Sequence, residues 1–590
     1  MMRRSIINLG CTVLISFLLF TSPFLVFGTN PATAETSGDY DYQLIDNGTA
    51  VEITQYHGPG GNVSIPGAID GKPVTSMGAW TFQGCASLTS VTIGNNITSI
   101  GEWAFSWCAN LISVEFGSRV KTIGNWSFAS CTSLSSVIIG GNVTSIGMSA
   151  FSYCTNLSSV VIGSKLTSIG DYAFSSCNAL TEIHVSASNP NYASIDGVLY
   201  NKSMTTLLQF PGGKNGAFTV PENIKTIREN AFSGSGALTS VTIPRSVTSI
   251  EPFSFAFCHS LTWINVSLDN QNFKSSNGVL FDKSGSSLLQ YPGGRPGAYA
   301  IPNGVRSISA GSFAICTRMT SVEIPTSVTS IGDSAFILCT NLTSLTIPNS
   351  VISIGNSSFY STNLAKLVIP DSVRSIGYLA FSCCTNLTSA AIGSGVTTIG
   401  LGMFETCTNL ETVSISEGIK SIENSTFYEC TSLTSIAIPN SVKSIGNWSF
   451  YNCRELTSVT IGSSVTNIWY SAFSSCNNLT SVTIPRSVTH IEGYAFSDCA
   501  NLTQIHFQGN APSCDRGWIS IYNNNLTVYF FNGSTGFTTP TWNEINSVEL
   551  SAPTPITSSP QNFIPTIILV VAFALLMVAY FFLRKPKVKK

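Results

Sequence analysis

The chain has 590 residues and a net charge of −2, and its charged fraction of 10% is far below the roughly 25% of ordinary soluble domains. No basic block appears before the extreme C-terminus, which argues against nucleic acid as a partner. Ser, Thr, Asn and Gly take up the missing polar share. The chain opens with two arginines in Met1–Arg4, an apolar run from Ile6 to about Phe27 and a small-x-small site at Ala32-Thr33-Ala34. Residues 1–34 therefore read as a secretory signal peptide.

After 35–78 the chain becomes periodic. Phe82, Phe105, Phe128, Phe151 and Phe174 stand 23 residues apart. Phe232 and Phe255 form a second group, and nine further phenylalanines from Phe313 to Phe496 form a third with one residue deleted after Phe359. That makes sixteen units across 79–504. In one of them, Leu342, Leu345 and Ile347 are apolar at strand period, so Thr343–Ile347 reads as a short strand with Thr346 outward. Pro348 and Asn349 turn the chain, Val351 and Ile354 return inward, and Gly355 permits the next bend. A single coil cannot bury its own apolar edge, whereas stacked coils bury a continuous core. The fold class expected is a β-rich solenoid of leucine-rich-repeat type, its phenylalanines forming an internal aromatic column. At about 4.8 Å per coil, sixteen coils span roughly 77 Å.

The recurring phrase A-F-x-x-C-x-x-L-T-S-V-T-I-P-x-S-V-T-S-I-G, fitted by Phe82 through Ile491, closely resembles the BspA-like leucine-rich-repeat family. The stretch 35–78, with Ile65-Pro66 and Gly71-Lys72-Pro73-Val74, resembles the N-terminal cap of such arrays. The resemblance implies a surface or secreted protein, of a kind often engaged in adhesion to matrix proteins, cells or polysaccharides. Two 58-residue steps, Phe174 to Phe232 and Phe255 to Phe313, each hold an extended unit, near 186–225 and 267–305. Their paired apolar runs and Pro-Gly-Gly turns predict a β-hairpin beside the main sheet, a structural element rather than a private binding site.

Beyond the repeats, 505–550 abandons the period and is expected to cap the stack. Residues 551–562, rich in Pro, Ser and Thr, form a stalk. Phe563–Leu583 is uncharged and long enough, at roughly 31 Å as a helix, to cross a bilayer once. The basic tail 584–590 then lies in the cytoplasm, with the body of the protein outside.

Fourteen of the seventeen cysteines fall three residues after a repeat phenylalanine and make one column. Parallel side chains at coil spacing keep Cβ atoms farther apart than the roughly 3.8 Å of a disulfide. Buried unpaired thiols are therefore expected, with disulfides or metal as the alternatives. Cys383 and Cys514 are off the column. The five histidines are scattered, and there is no nucleophile elbow, phosphate loop or dinucleotide fingerprint. No catalytic, cofactor-binding or metal-binding residues are expected, and the chain reads as a non-enzyme.

The outward positions of the sheet are mostly hydroxyls. The candidate binding face comprises Thr92, Glu115, His184, Thr242, Trp263, Glu323, Thr346, Glu411, Thr460, Thr483 and His506. Threonine is also a good strand former, so a merely solvated sheet is the competing reading. Candidate glycosylation sites are Asn47, Asn125, Asn447 and Asn525. The expected function is adhesion or recognition of an extended extracellular protein or polysaccharide by the sheet face. The alternative is an envelope scaffold that packs laterally with its own kind, so self-association is also considered.

Overall fold

The computed structural model describes residues 35–519 and 525–551. The signal peptide, the spanning helix, the basic tail and all of the stalk but Ser551 lie outside the described residues. Among the described residues, no helix is long and apolar enough to cross a membrane.

The chain is a β-solenoid with leucine-rich-repeat-type coils. Each coil contributes to three hydrogen-bonded columns. The first is an inner sheet of two-residue strands such as Ser330–Ile331 and Ser353–Ile354, parallel and in register. The isoleucine is buried and the serine half-exposed. The second is an outer parallel sheet, for example Ser136–Ile139 against Ser159–Ile162. The strand expected over Thr343–Ile347 is shorter, Ser344–Leu345, where the outer sheet begun at Gly297–Ala300 ends.

The third column is not visible in the hydrophobic pattern. Two residues before and two after each phenylalanine the backbone is left-handed, as at Ser334 (φ 52°) and Leu338 (φ 55°) around Phe336. This alternation points the N–H groups of Ser334, Phe336 and Leu338 along the stack. They donate to the carbonyls of Asn356, Ser358 and Tyr360 at 2.7, 2.7 and 2.8 Å. A left-handed non-glycine residue costs about 1–2 kcal/mol. Three backbone hydrogen bonds per coil, at about 1 kcal/mol each, offset most or all of two such residues.

Inside these columns the phenylalanine rings stack, as in Phe336–Phe359 at 5.1 Å and 7° and Phe450–Phe473 at 5.0 Å and 1°. The array is longer than the phenylalanine count of sixteen and has about 22 turns. Among the further rungs, four are aromatic residues at other spacings. Tyr56 stacks on Phe82, Phe210 packs on Phe232, Tyr291 stacks on Phe313, and Trp518 meets Phe496 edge-on.

The extended units differ from the expectation of a hairpin beside the main sheet. Strands Tyr192–Ile195, Val198–Asn201 and Thr206–Gln209 form an antiparallel triple whose third strand pairs in parallel with Thr226–Ile227, so the unit begins a new inner sheet. Phe273–Ser276, Val279–Asp282 and Ser287–Gln290 repeat this before Ser307–Ile308. Glu35–Ser37, Tyr40–Ile45 and Ala50–Tyr56 have the same topology before Lys72–Met77. Each triple is followed by a strand that heads a new outer sheet: Gly61–Ser64, Gly216–Thr219 and Gly297–Ala300. The extended units are thus internal copies of the N-terminal cap. The buried core divides at the same places, into clusters from Tyr42 to Leu199, Val198 to Leu280 and Val279 to Ile545. At the C-terminal end the outer sheet runs on through Thr527–Phe531 and Ile545–Leu550 before the antiparallel Thr541–Trp542 closes it.

Candidate functional site

The outer sheet is the broadest regular surface, and its outward side chains form columns. Thr92, Glu115, His184, Thr242, Glu323, Thr346, Thr460, Thr483 and His506 share one register, ten residues after the coil's phenylalanine. All are exposed except Thr242 and His506, which are half-buried. Trp263 lies two residues earlier in its coil, where it pairs with Ser240. Glu411 departs from the expected column: it precedes the strand Thr412–Ile415, and its carbonyl accepts the Thr434 hydroxyl at 3.3 Å. It sits on the corner leading into the sheet.

The hydroxyl column is interrupted by apolar residues that the sequence reading passed over. Ile138 is 69% exposed and Val161 39%, and they are direct neighbours. Val161 in turn adjoins His184, so the column runs Glu115, Ile138, Val161, His184. The signal was available as β-branched aliphatics at an outward position. His506 stacks on Tyr529 at 4.7 Å and 11°, an aromatic pair near the C-terminal end.

The hairpin tip of each internal cap copy meets this face. At the first, Glu182, His184, Asp196, Lys214 and Phe218 line an open cleft of about 640 Å³. The hairpin tip turns through left-handed Asp196 and Gly197, and the Gly197 carbonyl accepts the Ile183 N–H at 2.9 Å. Lys214 Nζ donates to the Asp196 carbonyl at 2.8 Å, and His184 Nε2 lies 3.1 Å from Glu182. The second tip is equivalent: Ile264 N–H donates to Gly278 at 2.9 Å, and Arg295 donates to the Asn277 carbonyl at 2.6 Å. Here Trp263 takes the place of Glu182. Its indole lies against the tip so closely that a Cβ on Gly278 would stand 2.7 Å from it. Its Nε1 donates to Asn265 at 2.7 Å, which leaves the ring 43% exposed and held in one orientation. His184 and Trp263, on different columns, both fall at hairpin tips.

Each copy is anchored by one buried asparagine. Asn270 donates through Nδ2 to the carbonyls of Pro244 and Val247, at 2.8 and 3.0 Å. Its Oδ1 accepts the N–H groups of Asn272 and Phe273, both at 2.8 Å. Asn189 repeats this pattern with Gly163, Leu166, Asn191 and Tyr192.

The cysteine column is chemically quiet. All sixteen cysteines among the described residues are unpaired. Twelve of the fourteen column thiols donate along the stack to the phenylalanine carbonyl of the preceding coil, for example Cys108 to Phe82 at 3.1 Å and Cys430 to Phe404 at 3.2 Å. Burial pushes Cys108, Cys177 and Cys258 up to about 12, which keeps them as thiols rather than nucleophilic thiolates. Thr362 fills the same slot in the Phe359 coil, but its hydroxyl donates within its own coil, to the Phe359 carbonyl at 3.0 Å. Cys383 lies off the column and donates to Tyr360 Oη at 3.2 Å. Among the described residues no group of three or more His, Cys, Asp or Glu is placed to hold a metal ion.

The sequons are placed unevenly. Asn47 is exposed in the left-handed turn after Tyr40–Ile45, and Asn525 is exposed ahead of Thr527–Phe531. Asn125 and Asn447 sit in the turn column, where their Oδ1 atoms accept the N–H groups of Met148 and Tyr470 at 2.8 and 3.0 Å. Their sequon hydroxyls, Ser127 and Ser449, are fully buried.

Among solved structures, the chain is similar to a leucine-rich cell surface protein from Faecalibacterium prausnitzii, at 28% identity over 74% of this chain and 96% of that one, with a TM-score of 0.34. It is also similar to a leucine-rich repeat protein from Eubacterium ventriosum, at 24% identity over 73% and 90% of the two chains and a TM-score of 0.38. The pneumococcal vaccine antigen PcpA matches at 20% identity over 71% and 94%, with a TM-score of 0.32. Comparison with curated proteins gives no match. The family model described as BspA type leucine rich repeat region (6 copies) matches residues 72–201, 210–288, 306–433 and 397–527. The breaks at 202–209 and 289–305 fall inside the two internal cap copies, where the coil departs from the repeat. With well over half of its length matched, the chain belongs to the BspA-type leucine-rich-repeat family.

Proposed function

We propose that this is a cell-surface recognition protein that adheres to an extended protein or polysaccharide through its outer sheet. In this reading 1–34 directs secretion and Phe563–Leu583 anchors the chain as a single membrane-spanning helix, with 584–590 in the cytoplasm. The observation that carries the proposal is the uneven outer face: hydroxyl columns broken by exposed Ile138 and Val161, then by two equivalent hairpin tips, with His184 in the cleft at the first and Trp263 packed against the second. A solvated sheet with no ligand does not require a tryptophan held in one orientation by a glycine tip and an asparagine. Hydroxyls spaced by the coil rise suit an extended polymer, and many weak contacts on many anchored copies add up by avidity.

The test is binding of the purified chain to a panel of polysaccharides and matrix proteins, with Trp263→Ala and Ile138→Asp as variants. Both positions are exposed, so folding is retained. Saturable binding weakened about tenfold or more by either variant is expected, since buried aromatic anchors dominate interface energies. Binding unchanged by both variants, or absent across the panel, overturns the outer-face reading.

A further inference from the structure

The narrow inner face carries two charged stripes that the recognition reading does not use. The residue before the Ser-Ile or Thr-Ile strand is a basic side chain in six coils: Lys121, Lys225, Arg306, Arg374, Lys420 and Lys443. All six are exposed, and no acidic residue takes this position in any coil with a Ser-Ile or Thr-Ile inner strand. Within each inner sheet they share one register, because the backbone N–H at this position donates to the carbonyl at the same position one coil earlier, as in Lys443 to Lys420 at 2.8 Å. On the other edge, the two positions after the isoleucine collect acids, among them Glu102, Glu229, Glu251, Asp333, Glu423 and Glu492. Arg228 and Arg516 are the exceptions, and Arg228 is paired with Asp171.

That pair is the one Lys or Arg ion pair among the described residues, so the two stripes do not neutralise each other within the chain. Three to four residues of strand separate them, about 10–13 Å. Between them lie half-exposed serines such as Ser330, Ser353 and Ser444, which leave the face flat. A polyanion lying on the basic stripe would leave the acidic stripe beside it unmatched, about 10–13 Å away. A second copy of this chain meets no such conflict. A two-fold axis along the solenoid lays each basic stripe over the partner's acidic stripe, with every coil level with its twin. An antiparallel pairing would set like charges together.

We propose that two copies of this chain associate in parallel through their inner faces by this complementarity. Lys420 then stands level with the partner copy's Glu423, and Lys121, Arg306 and Lys443 lie one coil from Glu102, Asp333 and Glu423. Such an interface is isologous and closes at two copies. It leaves both outer sheets free and is independent of whether they bind a ligand.

The test is the mass of the full chain in solution at low and high salt, for three proteins. One is unaltered, one carries Lys121→Glu, Lys420→Glu and Lys443→Glu, and one carries Glu102→Lys and Glu423→Lys. The unaltered chain is expected to dimerise at low salt and dissociate as salt rises. Each variant alone should associate about tenfold more weakly or not at all, and an equimolar mixture of the two should recover the dimer. Overturning results are a monomer at low salt, a dimer indifferent to both variants, or variants that fail to rescue one another.

Discussion

The regular coils and the two internal cap copies solve the same problem in opposite ways. In a regular coil every stabilising contact has a twin one coil above and one below. The phenylalanine stack, the cysteine-to-carbonyl bonds and the Ser-Ile ladder are each repeated, so no single residue is unique. In a cap copy the geometry hangs on single residues: Asn189 or Asn270 at the entry and Gly197 or Gly278 at the tip. Repetition gives stability that adds up from nearest-neighbour terms. The singular units give places where the outer sheet, the inner sheet and the core can all restart.

Removing a repeated contact gives the largest expected loss, because each one lies in the densest part of the core. Phe336→Ala deletes a fully buried ring stacked on Phe313 and Phe359 and should cost about 3–5 kcal/mol. Denaturant unfolding measures this, and the effect should centre on the third core. A loss below about 1 kcal/mol would mean that the column relaxes around the gap, so that repetition buffers the damage.

Asn270→Ala tests the singular side. It removes four hydrogen bonds and leaves two carbonyls and two N–H groups without their partner, for an expected cost of about 2–4 kcal/mol. The damage should be local. Amide exchange should accelerate across 267–305 while the coils around Phe427 and Phe450 keep their protection. Acceleration spread evenly over the whole array would show that the cap copies do not divide the molecule.

The sequence made the repeated half legible and the singular half only partly so. The 23-residue recurrence of phenylalanine, leucine and isoleucine specifies burial, and burial of stacked coils dictates the solenoid. The left-handed residues around each phenylalanine were not legible, because Trp103, Tyr153 and Leu338 occupy a conformation that hydrophobic patterning does not report. The cap copies were seen as hairpins, but their kinship with residues 35–56 was hidden. It resides in strand order and in an aromatic residue followed by Pro-Gly-Gly, Tyr56 with Pro59-Gly60-Gly61, Phe210 with Pro211-Gly212-Gly213 and Tyr291 with Pro292-Gly293-Gly294, which the 23-residue period does not align. The candidate face was legible at His184 and Trp263 as outward positions. Their place at hairpin tips depends on contacts with Gly197 and Gly278 from strands that the repeat does not predict.

The smallest expected effect asks whether repetition also governs the charges on the turn column. Glu405 follows its phenylalanine directly, facing Cys383 and Tyr360 from one side and Tyr428 and Glu429 from the other. Burial, reinforced by the Glu429 carboxylate, pushes its carboxyl up to about 7. The folded state therefore holds a proton that the unfolded chain releases near 4.5. Stability from this group is present below that value and is lost as pH rises through about 7. Glu405→Gln should leave the denaturant midpoint nearly unchanged at about pH 5 and raise stability by about 1–2 kcal/mol at about pH 8. Every other repeat phenylalanine is followed by an uncharged residue, mostly serine, alanine or tyrosine as at Ser382, Ala314, Tyr428 and Tyr451, so the glutamate is a local departure from the column. A variant with the same pH profile as the unaltered chain would mean that Glu405 is solvated well enough to ionise in place. The turn column would then accept a charge wherever its neighbours leave a gap.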